Sequence, residues 1–214
     1  MGEQTAGLKS FIELVEAIAD NKYVLGDRLV EIGISGPNLE ATLAAIAMAQ
    51  GELGHARLLY NWIFDLKELT GKKPEIENQT GKAFQGVVDI HDWISLIAAS
   101  YVVNIAVDVV LKSVLDSSHS KVATRVHKLI REQKEHIVYT QHWAQQLLKD
   151  QGAIPRKFRE ALDQVIPHAE AWLKSVEQKA ELVDEGYILR DSQLFSKFQD
   201  QLRELNIQSL VSVE

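Results

Sequence analysis

The chain has 214 residues, 46% hydrophobic and 25% charged, a balance that suits one folded domain with a sizeable core and lies far from disordered or collagen-like compositions. Lys and Arg number 23 against 30 Asp and Glu, a net charge of −7, and the basic residues are scattered, which disfavours a nucleic-acid partner because phosphate neutralisation needs clustered cations. Cysteine is absent, so disulfides, thiolate nucleophiles and Cys-ligated zinc are excluded.

The first ten residues carry Glu3 and Lys9 and lack the apolar core of a signal peptide. From about Leu8 to Ile32, Leu8, Phe11, Ile12, Val15, Ile18 and Ala19 recur at three- and four-residue spacing, which predicts a helix. Ser35-Gly36-Pro37-Asn38 closes it, with Asn38 as the N-cap of a second helix over about Leu39 to Leu69. Thr70 to Val88, with three glycines and Pro74, reads as a long crossover connection between two helix pairs.

A third helix is expected over about Ile90 to Leu115 and a fourth over about Ser120 to Gln151. A fifth, about Pro155 to Val183, and a short sixth, about Ser192 to Leu205, should pack outside or across the end of the bundle. The stretch Leu96 to Leu111 comes nearest to a membrane span, but Asn104 and Asp108 interrupt it before the roughly 18 apolar residues a bilayer requires. No segment alternates with period two, so a sheet is not expected. The expectation is a single all-α domain over residues 1–214, a four-helix bundle with a long crossover and additional C-terminal helices, in the cytoplasm and not in a membrane.

Polar residues that interrupt the apolar stripes carry the most information. Glu52 and His55, three apart, share one helix face. This Glu-x-x-His spacing recurs in ferritin-like di-iron carboxylate bundles, where two helices each supply such a pair and the other two each supply a carboxylate. At the same spacing on the fourth helix stand Gln133 and His136, with an amide in place of the carboxylate. Glu132, one residue away, should face elsewhere by about 100°. Thirty residues before Glu52 stands Lys22, and twenty-nine before Gln133 stands Asn104, so the chain reads as two near-equivalent hairpins. A Lys22 ammonium beside Glu52 would neutralise a buried carboxylate without metal, and we expect that ion pair.

Asp20-Asn21-Lys22-Tyr23-Val24-Leu25 with Arg28-Leu29, Leu39 to Arg57 with its Gly54-His55-Ala56-Arg57, and Lys128 to His136 resemble the ferritin-like subunits of the bacterial phenylacetyl-CoA oxygenase, or epoxidase, family. In weaker form the similarity runs through most of the chain. The resemblance implies a ferritin-like fold and a complex in which one subunit holds two irons while a related subunit lacks the ligands and supports it. Glu52, His55 and His136 stand where the catalytic subunit has ligands; Lys22, Asn104 and Gln133 depart from its carboxylates. The chain is therefore most similar to the supporting subunit of phenylacetate catabolism. No catalytic residue and no metal are expected, the six positions Lys22, Glu52, His55, Asn104, Gln133 and His136 forming a pseudo-site.

The implied partner is the catalytic di-iron subunit. A homo-oligomer is left open, as is a CoA-ester substrate near the interface, since Lys72-Lys73 or Arg156-Lys157-Arg159 suits a CoA phosphate. The competing reading is a metal-dependent oxygenase or oxidase holding iron by Glu52, His55 and His136, two imidazoles and a carboxylate being a ligand set of non-haem iron oxygenases. A ferritin-like binding module without an oxygenase partner is a third, and would call for extra interior carboxylates, which are absent. Asn104 and Asp108 read as bridges between helices. His91, His119, His127, His142 and His168 read as surface or boundary residues, and the four tryptophans as core or interface anchors.

Overall fold

A computed structural model describes residues 4–73, 76, 78–117 and 119–205, all of whose regular elements are helices. Helix α1 (Ala6–Gly33) begins at Thr5, whose hydroxyl accepts a hydrogen bond from the Leu8 N–H at 3.2 Å. Asn38 caps α2 (Leu39–Leu66), its side-chain oxygen accepting from the Ala41 N–H at 2.8 Å. The connection is short, and two glycines let the helices close on each other. A Cβ on Gly26 would lie 2.7 Å from the Leu53 side chain and one on Gly33 2.7 Å from Ala45, a register that runs the pair antiparallel.

The crossover contains one helical turn, α3 (Gln85–Val88), within the stretch read from sequence as wholly irregular. Pro74, expected as punctuation there, lies outside the described residues. The third long helix, α4 (Trp93–Leu115), starts three residues later than expected. Asp92 accepts from the Ser95 N–H at 2.7 Å and Ser95 Oγ accepts from the Asp92 N–H at 3.0 Å, a capping box that fixes the first turn there although Ile90 is buried just before it. Helix α5 (Ser120–Lys149) then returns beside α4.

The fifth expected helix is two. Helix α6 (Ile154–Gln178) runs through Pro167, which sits on the exposed face, and breaks at Lys179 before α7 (Ala180–Asp184). The break turns the chain onto the start of α1: Ser10 Oγ donates to Glu181 Oε1 at 2.7 Å, the Gly7 N–H donates to Glu185 Oε1 at 2.8 Å, and Leu182 is fully buried. The last element is α8 (Leu194–Glu204).

Hairpins α1–α2 and α4–α5 form the bundle, α1 lying beside α4. Helix α6 packs on the outer side of α4, with α8 against both. Enclosed on every side, α4 is apolar all round: it is long and apolar enough to cross a membrane, with a mean hydropathy of 2.1, yet 89% of that stretch is buried inside the protein. One core of Phe11, Ile18, Leu25, Leu59, Leu96, Ile105, Val126 and their neighbours joins the helices. The tryptophans anchor contacts, Trp62 edge-on to Phe11, Trp93 to Trp143 and Trp172 to Phe84.

Candidate functional site

Lys22 from α1, Glu52 and His55 from α2, Asn104 from α4, and Gln133 and His136 from α5 meet at mid-height in the bundle. All six are buried, none more than 8% exposed. Each sits on the inward stripe of its helix, so the apolar periodicity that folds the helix also aims the polar group at the centre. Lys22 Nζ lies 2.7 Å from Glu52 Oε2, the ion pair expected from their spacing, and donates to Asn104 Oδ1 at 2.6 Å. The other carboxylate oxygen, Glu52 Oε1, is 2.7 Å from His136 Nδ1. Gln133 Nε2 donates to the backbone carbonyl of Asn104 at 2.6 Å, tying α5 to α4.

Burial pushes the Glu52 carboxyl up, but the Lys22 ammonium and the His136 hydrogen bond outweigh it and hold the carboxyl at about 2. Burial lowers the Lys22 ammonium, against the pull of Glu52 and of nearby Asp108. Asp108 is itself paired to Lys112 at 2.6 Å along α4. Burial, and then the Lys22 charge, lower the His55 imidazole and favour its neutral form. Glu132, 40% exposed at the rim, takes the remaining role. Its Oε2 lies 2.9 Å from His55 Nε2, so neutral His55 donates from Nε2 and leaves Nδ1, which has no protein partner, as a lone pair. Asn104 Nδ2 and Gln133 Oε1 likewise lack hydrogen-bond partners. The two imidazoles stack with centroids 5.7 Å apart, and one ligand-capable atom from each of Glu52, His55 and His136 falls within 4.8 Å of the others.

The phenylacetic acid catabolic protein family matches the chain over residues 3–210. The chain belongs to this family. A comparison with curated proteins finds no match. Its place is in phenylacetate catabolism, in a family that forms multicomponent oxygenase complexes, and its helical architecture agrees with the ferritin-like bundle expected of such subunits.

Two features of this family member's centre escaped the sequence. Glu132 was expected to face elsewhere, yet its side chain reaches back from the rim to His55. A carboxylate beside a buried stripe with an imidazole facing it is the only signal that could have suggested this. The other is Gly51. A Cβ there would lie 2.7 Å from both Cε1 and Nε2 of His136, so the ring occupies space that only glycine leaves open. Gly51→Ala should displace the ring from Glu52 and cost about 1–3 kcal/mol. Chemical denaturation and the imidazole 1H–15N correlations of His136 would show it; an unchanged His136 signal would refute the constraint.

Asp20, in the segment that carries the family resemblance, does something other than line the centre. Its carboxylate is fully buried and accepts from the Tyr60 hydroxyl, the Thr80 N–H at 2.9 Å, Thr80 Oγ1 at 2.8 Å and the Lys82 N–H at 2.6 Å. Asn21 Oδ1 accepts from the Phe84 N–H at 3.0 Å. These two residues staple the crossover to α1, beside Lys22. Burial, then Asp20, raises the Tyr60 phenol. Glu16 adds ion pairs to Lys67 at 2.7 Å and Lys82 at 2.6 Å. Of the histidines outside the centre, His119 is engaged structurally, stacked on Tyr187 at 4.4 Å, while His91, His127, His142 and His168 are exposed.

Proposed function

We propose that the chain is the supporting, non-catalytic subunit of a multicomponent phenylacetyl-CoA oxygenase in aerobic phenylacetate catabolism, acting in the cytoplasm beside a related subunit that holds the two irons. The observation that carries this reading is the Lys22 ammonium, fixed between Glu52 and Asn104 at 2.7 and 2.6 Å. Two irons need several anionic ligands to offset their charge. The donor set here is one carboxylate, two imidazoles and two amides, with a cation in their midst, and the residues do not fit a di-iron centre. Charge among them is balanced without a metal, and the centre serves to hold four helices in register for the partner.

The discriminating experiment combines two measurements. Expressed alone with excess iron and purified, the chain should carry no stoichiometric iron by elemental analysis. Co-expressed with the catalytic subunit, it should co-purify in fixed ratio and raise that subunit's turnover. A chain that leaves the partner's activity unchanged and never co-purifies would end the proposal.

One observation favours a second reading, in which the chain is a metal-dependent oxygenase or oxidase holding a single iron. Glu52, His55 and His136 already place three ligand-capable atoms within 4.8 Å of one another, and two imidazoles with one carboxylate form a facial ligand set. It requires Lys22 to give up Glu52. Stoichiometric iron that disappears in Glu52→Ala would establish it over the first.

A further inference from the structure

Three side chains at the centre are each anchored by one polar atom and keep another that nothing among the described residues satisfies. Asn104 accepts from the Lys22 ammonium on Oδ1 at 2.6 Å, and its Nδ2 hydrogens have no acceptor. Gln133 donates from Nε2 to the Asn104 carbonyl at 2.6 Å, and its Oε1 has no donor. His55 is held on Nε2 by Glu132 at 2.9 Å, and its Nδ1 has no partner. The three residues are buried to within 1% of completely. Buried polar atoms in folded proteins are nearly always hydrogen-bonded, and each one left alone is costly. Three from three helices in one cluster therefore call for a common partner.

The anchors also set where the free atoms stand. Asn104 Nδ2 shares a carbon with the oxygen that touches Lys22, so it borders the Lys22–Glu52 pair. Gln133 Oε1 shares a carbon with the nitrogen seated on the Asn104 carbonyl, which keeps it beside the same residue. The His55 ring is pinned from the rim at Nε2 and stacks along His136, whose Nδ1 lies on Glu52. A polar gap that direct contact does not close, inside a packed bundle, is the setting in which proteins place bridging water.

We propose that His55 Nδ1, Asn104 Nδ2 and Gln133 Oε1 bind one buried water molecule, which donates its two hydrogens to the imidazole and the Gln133 oxygen and accepts from the Asn104 amide, joining α2, α5 and α4. The donor and acceptor pattern selects the ligand. An anion would face two lone pairs, a cation would face the Asn104 hydrogens beside the Lys22 ammonium, and an apolar gas has no hydrogen to give. A neutral molecule that gives two hydrogens and takes one fits, and about three hydrogen bonds is the usual complement of a buried water. Glu132 on His55 closes the outer side, so the water leaves only when that contact opens and is long-lived. The site rests on the metal-free reading of the centre, in which His55 Nδ1 is available to a hydrogen-bond donor.

The test uses the full chain after its iron content has been measured. Oxygen-17 relaxation dispersion of the solvent should count one long-lived water fewer in Gln133→Leu than in wild type, both proteins melting cooperatively. Should that variant fail to fold, wild type decides alone: the Asn104 side-chain amide hydrogens should show cross-relaxation with water, and 15N shifts should place the His55 proton on Nε2 with Nδ1 bare. No cross-relaxation at Asn104, a proton on His55 Nδ1, or an equal water count in a folded Gln133→Leu would each overturn the proposal. In iron-free protein any of these removes the water and leaves the metal-free reading standing, whereas stoichiometric iron bound through His55 overturns both.

Discussion

Lys22→Met should destabilise the protein by about 3–5 kcal/mol at pH 7, because it strands a fully buried carboxylate with no cation to offset it. Glu52→Gln should cost a similar amount by stranding the ammonium. The double variant Lys22→Met with Glu52→Gln removes both charges and keeps an acceptor for His136, so it should lose much less than the two single losses together. Urea unfolding of the four proteins measures this coupling. Additive losses, or single losses below about 1 kcal/mol, would mean the pair is solvated and the charge-balance account is wrong.

The same cycle predicts a pH dependence. In the fold Glu52 is held at about 2, below its ordinary value of 4.5, so its contribution is complete above pH 4.5 and is lost as pH falls from there toward 2. His55 is lowered from its ordinary 6.5. Its cost appears as pH falls below 6.5, where the unfolded chain takes up the proton more readily than the folded one. Other carboxylates titrate in both proteins, so the informative quantity is the difference between wild type and the double variant. Between pH 4.5 and neutrality that difference should change little, and it should shrink below pH 4.5, while the decline that begins near pH 6.5 persists in both because burial, the largest cause of the lowered His55, is untouched. A difference that changes chiefly between pH 5 and 7 would refute the assignment to Glu52.

Asp20→Ala should be the most damaging substitution away from the centre. It deprives two backbone N–H groups and two hydroxyls of their acceptor, and each buried donor so orphaned costs roughly 1–3 kcal/mol. With partial rescue by water, a total of about 3–5 kcal/mol is expected. Amide hydrogen exchange should accelerate at Thr80 and Lys82 well before global unfolding. Unchanged protection at those two amides would show that the crossover is held by something other than Asp20. Asn retains one acceptor oxygen but turns an amide toward a donor, so Asp20→Asn should fall between the two.

Much of this architecture was legible in the order of residues. The spacing of Leu8, Phe11, Ile12, Val15 and Ile18, the cap at Asn38 and the long irregular stretch after Leu69 defined helices and crossover, because helix periodicity and capping are local properties. The Glu-x-x-His pair on α2 and its Gln133–His136 counterpart on α5 located the centre for the same reason, since three-residue spacing fixes a shared helix face whatever surrounds it. The start of α4 was misplaced because apolar Ile90 is buried in a turn, and the break at Lys179 because the contacts of Glu181 and Glu185 with the start of α1 are distant in sequence.

Residue order alone therefore settled the helical class and the family resemblance, and put a cation and two amides, Lys22, Asn104 and Gln133, at helical positions that match Glu52, His55 and His136. It took the packed bundle to bring Lys22 to Glu52 and Asn104 together, to turn Glu132 in to His55, to seat His136 against Gly51 and to hold the crossover on Asp20. Each of these depends on the distance between helices separated by tens of residues. Periodicity says which face a residue occupies, but the packing of the whole bundle sets which face of which neighbour stands within hydrogen-bonding reach.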